Sequence, residues 1–178
     1  MKNNIGAILY KQNKKLLLKK LNYTNNLPPG YLLVKMIYSG ICHTQLNEIK
    51  GILGKDKYIP HCMGHEGVGK IIKVGSKTSK FRKGDVVVLS WIKKNLKKNY
   101  KPISFFNGKK KINSGGCNTL LKYSLVSENR AYKLRNKNYL RESVLLGCAL
   151  PTACNAIQKV SNLKPNNKIL IMGMGGLG

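Results

Sequence analysis

The stretch Met63-Gly64-His65-Glu66-Gly67 runs straight into the apolar residues 68–74, so an imidazole, a carboxylate and flexible backbone stand together at the mouth of a strand. Any fold of this chain must decide what those groups face. Upstream lies Gly40-Ile41-Cys42-His43-Thr44, and far downstream Leu146-Gly147-Cys148-Ala149. A fold that gathers the three segments sets two thiolates and one imidazole around a single cation, which is the ligand set of a catalytic zinc.

The chain has 178 residues, enough for one ordinary domain with a real core and little more. Its charge is unusual, with 33 Lys and Arg against 6 Asp and Glu, a net +27. Nucleic acid is the first partner this suggests. The lysines are nevertheless spread over nearly every segment, and no recognisable nucleic-acid module or aromatic-interleaved basic face accompanies them. A compositional bias accounts for them, and no specific nucleic-acid partner is expected. The N-terminus carries no export pattern and no run reaches the eighteen apolar residues of a membrane span. Five cysteines in such a chain suit a reducing cytoplasm, as ligands or core residues rather than disulfides.

Taken in order, residues 5–9 and 16–18 read as short strands and Asn25-Asn26-Leu27-Pro28-Pro29-Gly30 as a loop. Residues 31–38 form a longer β-favouring run. Thr44 caps a short helix reaching about Lys50, with Gly51 as its stop, which puts Cys42 at the helix's N-terminal edge. There the positive end of the helix favours thiolate over thiol. Alone, Cys42 reads rather as a small buried hydrophobe, the commonest fate of a free cysteine. Residues 68–74 and 86–89 are strands on either side of the tight turn Gly84-Asp85. Residues 91–114, crowded with Lys93, Lys94, Lys97, Lys98 and Lys109-Lys110-Lys111, are expected to be an exposed loop. Strands resume over 120–126 and 131–134, leaving Cys117 in a turn with no assigned role.

After Asn138 the period becomes helical over 139–146 and 151–160, with Pro151 suited to a first turn. Residues 168–172 read as a compact apolar strand leading into Gly173-Met174-Gly175-Gly176-Leu177-Gly178. That is G-x-G-x-x-G directly after a strand, the start of a dinucleotide-binding unit. The same residues also read as a glycine-rich tail.

Together these pieces resemble the zinc-type medium-chain alcohol dehydrogenases over essentially the whole chain, as far as that family's first nucleotide-binding turn. The resemblance rests on Ser39-Gly40-Ile41-Cys42-His43-Thr44, Gly64-His65-Glu66-Gly67-Val68-Gly69, Lys83-Gly84-Asp85-Val86-Val87, Gly147-Cys148-Ala149 and the glycines from Gly173 to Gly178, in the family's order. It implies a mainly β fold: a GroES-like, partly open β-barrel with short helices over 1–148. The first helix, strand and Gly-rich turn of an incomplete α/β Rossmann domain would follow over 149–178.

Carried over by position, the resemblance makes Cys42, His65 and Cys148 the zinc ligands and Glu66 the acidic neighbour of the metal. Thr44 becomes the hydroxyl that relays the alcohol proton. His43 and Thr152 would approach the nicotinamide cofactor, NAD or NADP, with Gly173, Gly175, Gly176 and Gly178 around its phosphates. In such a centre zinc acidifies an alcohol so that hydride can leave to nicotinamide. The implied reaction interconverts a small alcohol, of polyol or sugar type by the wording around residues 39–49 and Ser90-Trp91, and a carbonyl. Full-length members are implied to be homo-oligomers in the cytoplasm.

Departures from the family pattern shape the remaining expectations. Gln45 stands where Asp is common, and Asn47 stands near a relay histidine of some members, so proton exit and ligand tuning differ. The closely spaced cysteines of a structural zinc are missing from 91–114, so one catalytic zinc and no structural zinc are expected. The remainder of the Rossmann domain is absent, so this polypeptide alone is expected to lack a complete cofactor site. The alternatives are a non-catalytic zinc-binding or interaction module, a basic nucleic-acid-binding protein, and the zinc-free quinone reductase branch.

Overall fold

The computed structural model describes residues 4–23, 26–78, 80–97, 100–160 and 163–176. In chain order the elements are β1 (Asn4–Leu9), β2 (Leu17–Leu21), β3 (Tyr31–Ser39), α1 (His43–Ile49), β4 (His61–Cys62) and β5 (Glu66–Val74). They continue with β6 (Val86–Ser90), β7 (Phe105–Asn107), β8 (Lys110–Ile112), β9 (Tyr123–Ser127), β10 (Ala131–Lys133) and α2 (Ala149–Asn155). Five strands form one antiparallel sheet in the order β10-β6-β5-β3-β9; β2-β1-β4 form a second, and β7-β8 a hairpin. The fold is mainly β with few short helices, as expected. No helix of the described residues is long and apolar enough to cross a membrane.

β3 over residues 31–34 and β6 over residues 86–89 are apolar and buried because both of their faces are covered there. Successive strand residues point to opposite faces. Leu32 and Val34 therefore join Ile71, Val87, Leu89 and Val126 on one side, while Leu33 and Leu125 meet Ile8, Leu21, Phe105 and Ile112 on the other. Val86 and Val88 pack with Val68 against Val144 of the 3₁₀ segment Glu142–Gly147. The β3–β5 ladder slips in register between Met36 and Tyr38, close to the strand end that carries Ser39 and Glu66. Such irregularities bend and twist a pair and re-aim nearby side chains.

Three expectations change. Residues 91–114 contain the β7–β8 hairpin, with Phe105 paired to Ile112 and both fully buried in the second cluster. Its lysines face water while those two side chains hold it to the core, so the charge run misrepresents the segment. Residues 139–146, expected as a helix, contribute the 3₁₀ segment Glu142–Gly147, and the later helix divides into α2 and a π-helical turn Ala156–Val160. Finally, 168–172 pair with no strand, and Leu170 is 82% exposed. A lone apolar segment has no neighbour to take its backbone N–H and C=O groups, so it gains nothing by becoming a strand.

Candidate metal centre

Cys42 is the N-cap residue of α1, with φ −88° and ψ 149°. Its backbone N–H donates to Gln45 Oε1 at 2.9 Å, so the buried Gln45 fixes the ligand-bearing residue to the helix it precedes. The departure from Asp at this position thus leaves an orienting partner, though one that carries no charge. Behind Cys42, the Gly40 N–H donates to Glu66 O at 3.1 Å, and Ser39 Oγ donates to Thr119 Oγ1 at 2.8 Å. His65 stands between β4 and β5, and the preceding Met63 carbonyl accepts from Thr119 N and Leu120 N at 3.2 and 3.1 Å.

Cys148 follows the 3₁₀ segment and leads into α2. Ser90 Oγ donates to Gly147 O at 2.6 Å and Thr152 Oγ1 donates to Cys148 O at 2.8 Å, one bond on either side of the thiol-bearing residue. The result is convergence: one ligand atom from each of Cys42, His65 and Cys148, all within 4.8 Å of one another. Positions 42, 65 and 148 meet because the helix cap, the start of β5 and the start of α2 all lie at one end of the central sheet.

Glu66 is 4% exposed, and its Oε2 has no hydrogen-bond partner. Burial raises its carboxyl above the usual range, while the Ala149 N–H at the start of α2 draws it down. Two glycines make room for it. A Cβ on Gly40 would lie 2.7 Å from the Glu66 carboxyl carbon, and one on Gly147 would lie 2.9 Å from Glu66 Cβ and 2.6 Å from Leu89 O. This explains physically why glycine precedes each cysteine segment. Gly147→Ala should cost about 1–3 kcal/mol of overpacking strain, because a backbone carbonyl cannot yield as a flexible side chain can. Thermal unfolding should show a Tm lower by roughly 2–4 °C per kcal/mol, and an unchanged Tm would show that the contact is loose.

Burial raises the Cys148 thiol above its usual range, and so do Cys42 and Glu66 beside it; the Trp91 indole N–H donating to the sulfur works the other way. His65 is held below the usual imidazole range by burial. Two soft donors and a neutral imidazole next to a buried, unpartnered carboxylate oxygen form an electron-rich pocket in want of a cation. The donor set therefore fits zinc.

These groups line a cavity of about 710 Å³. It also receives His43, Thr44, Thr152 and Gly176, so most of the site residues expected from the sequence share one space. The Thr44 hydroxyl is 3.6 Å from Cys42 Sγ. Trp91, Leu145 and Ala149 complete the walls, and the Trp91 carbonyl accepts from Arg130. Nothing in the local pattern marks Leu145 as a site residue; the 3₁₀ segment brings it there.

The glycine run behaves differently. Gly173, Gly175 and Gly176 are exposed, and a Cβ on any of them would meet nothing within 4 Å. Gly178 lies outside the described residues.

A family profile described as "Alcohol dehydrogenase GroES-like domain" matches residues 28–136. The S-(hydroxymethyl)glutathione dehydrogenase of Photobacterium damsela subsp. piscicida is 25% identical over 177 residues, covering 85% of this chain and 48% of that protein. The protein of the same name from Synechocystis sp. is 27% identical with the same coverages. Among solved structures, a cinnamyl alcohol dehydrogenase of Sorghum bicolor matches with a TM-score of 0.75 at 21% identity, covering 99% of this chain and 53% of that one. A protein designated CAD from Helicobacter pylori, complexed with NADP(H), matches with a TM-score of 0.69 at 19% identity, over 89% of this chain and 49% of that one. The chain spans about half the length of the curated relatives it matches.

Proposed function

Because the chain belongs to the alcohol dehydrogenase GroES-like domain family, we propose that it is the metal-bearing part of a zinc-dependent oxidoreductase that interconverts a small alcohol and a carbonyl compound. The observation that carries the reading is the convergence of Cys42, His65 and Cys148 on the cavity that also holds Thr44 and Glu66. Bound there, zinc supplies Lewis-acid polarisation of an alcohol or carbonyl oxygen. The chain's own residues do the rest. Cys42 and Cys148 would give soft anionic ligation, and His65, whose imidazole burial holds below its usual range, would give a nitrogen lone pair. Thr44 Oγ1, one side chain away from Cys42 Sγ, is placed to accept the proton an alcohol gives up and pass it outward. Glu66 stands beside Cys148 with its carboxyl buried, and Trp91, Leu145 and Ile41 line the cavity.

The hydride acceptor in this reading is NAD or NADP, supported by the NADP(H) complex of the Helicobacter pylori relative and by His43 and Thr152 on the same cavity. Residues 1–148 then form the catalytic zinc domain and 149–178 the beginning of a nucleotide-binding one. The substrates in the relatives' names, S-(hydroxymethyl)glutathione and cinnamyl alcohol, favour a substrate among the primary alcohols.

Cobalt substitution tests this without needing the nucleotide. A thiolate-to-cobalt band that appears on loading, with a visible spectrum that moves when a primary alcohol is added, is the expected result. A thiolate band indifferent to every alcohol and aldehyde would replace the catalytic reading with a closed, non-catalytic zinc site.

A further inference from the structure

We propose that the protein holds a second divalent transition-metal ion, in a mixed nitrogen and oxygen site formed by Glu48, Asp56 and His61. One ligand atom of each lies within 4.8 Å of the others. His61 Nε2 is 2.7 Å from Asp56 Oδ2 and 3.4 Å from Glu48 Oε1. His61 is 8% exposed, and the side chain of Asp56 is equally enclosed.

The orientation of the histidine carries the inference. Nδ1 lies 3.0 Å from the Cys62 carbonyl, which can only accept, so Nδ1 is the nitrogen that bears hydrogen. In the neutral ring, Nε2 then turns a lone pair toward two carboxylate oxygens. That arrangement is repulsive unless a positive charge, a proton or a metal ion, stands between them. A histidine that donates one nitrogen to a backbone carbonyl and presents the other is the ordinary outer support of a metal ligand.

The remaining ligands are braced in the same manner. The Tyr58 N–H donates to Asp56 Oδ1 at 2.7 Å, leaving Oδ2 for the centre. Gln12 clamps the loop between the two carboxylates: its Nε2 donates to Gly54 O at 2.8 Å, and its Oε1 accepts from Asp56 N at 3.2 Å.

Composition adds an independent argument. Only six residues of the chain are acidic against 33 basic ones. Two of the six converge on one histidine, and neither ion-pairs with a lysine or arginine among the described residues. Glu48 and His61 line a cavity of about 500 Å³. The 2%-exposed Gln45 lines that cavity with its Nε2 unpartnered, a donor available to water or an anion carried by the ion.

The expectation of a single zinc rests on missing paired cysteines, a criterion blind to ligands of this kind. One nitrogen and two carboxylates suit zinc, manganese or cobalt. The ion would clip the C-terminal half of α1 to β4, joining the helix that Cys42 caps to the strand that leads to His65.

The test is titration of the metal-free chain with cobalt, read by bound equivalents and by spectrum. Two equivalents are expected: one with the thiolate band, and one with weak visible bands alone. Asp56→Asn, which keeps the shape, and His61→Ala should each weaken the second equivalent at least ~10-fold while leaving the thiolate band intact. Should His61→Ala not fold by circular dichroism, Asp56→Asn and Glu48→Gln decide. A single equivalent in the unaltered chain, or a second one indifferent to Asp56→Asn, overturns the proposal. Loss of the thiolate band alone would instead strike the Cys42–His65–Cys148 centre.

Discussion

Replacing His65 with alanine should empty the Cys42–His65–Cys148 centre of zinc, and Cys42→Ser should do the same. The three ligands come from segments that share no local structure, so removing one leaves two donors on separate elements, with nothing to hold an ion between them. Because the folded chain presents the site and the unfolded one does not, binding adds directly to stability. At free zinc about a thousandfold above Kd the gain is about 4 kcal/mol. For a chain of this size that corresponds to roughly 8–16 °C in Tm. A chelator should therefore lower the Tm of the intact centre by that amount and leave His65→Ala unmoved, with both measured on an Asp56→Asn background to silence the other cluster. Equal chelator shifts in the two proteins would mean that His65 is not a ligand.

Phe105→Ala should produce the largest loss of stability unconnected with metal, about 3–5 kcal/mol. Phe105 is fully buried, pairs with Ile112 across the β7–β8 hairpin and packs among Ile8, Leu21, Leu33 and Leu125. At the turn of the same hairpin, Lys109 is exposed, and Lys109→Ala should stay within about 0.5 kcal/mol. Denaturant unfolding of the two variants measures the contrast. Similar small effects from both would return the segment to the solvated loop that its lysines suggest.

That hairpin shows where sequence reasoning stops short. Asn107 pairs with Lys110, so the two-residue loop is Gly108-Lys109, with glycine in the first central position that such a hairpin turn favours and a positive φ of +59° there. The turn was legible in principle. Strands of three residues, however, give too little alternation to outweigh the lysines crowded around them. Longer runs such as β3 and β5 were plain, because β-branched and apolar residues repeat through them and turn residues bound them on both sides. The run 168–172 carries the same local pattern with no partner strand, and local pattern does not supply one.

The candidate ligands were legible as residue types at motif spacing, since Cys42, His65 and Cys148 each follow a recognisable glycine-bearing phrase. Their meeting was not. Glu48, Asp56 and His61 carried no phrase at all; they are brought together by the Gln12 clamp and the β1–β4 pairing, both made by residues distant in sequence.

Sequence alone determined the β class, the position of the first helix and the chemistry available at each site residue, because those follow from side-chain type and short-range periodicity. Only the tertiary structure decided that Glu66 is enclosed between Gly40 and Gly147, that Trp91 reaches Cys148, and that a second cluster of ligands exists. Distances between groups far apart in the chain are set by packing and sheet register, and no local pattern encodes them.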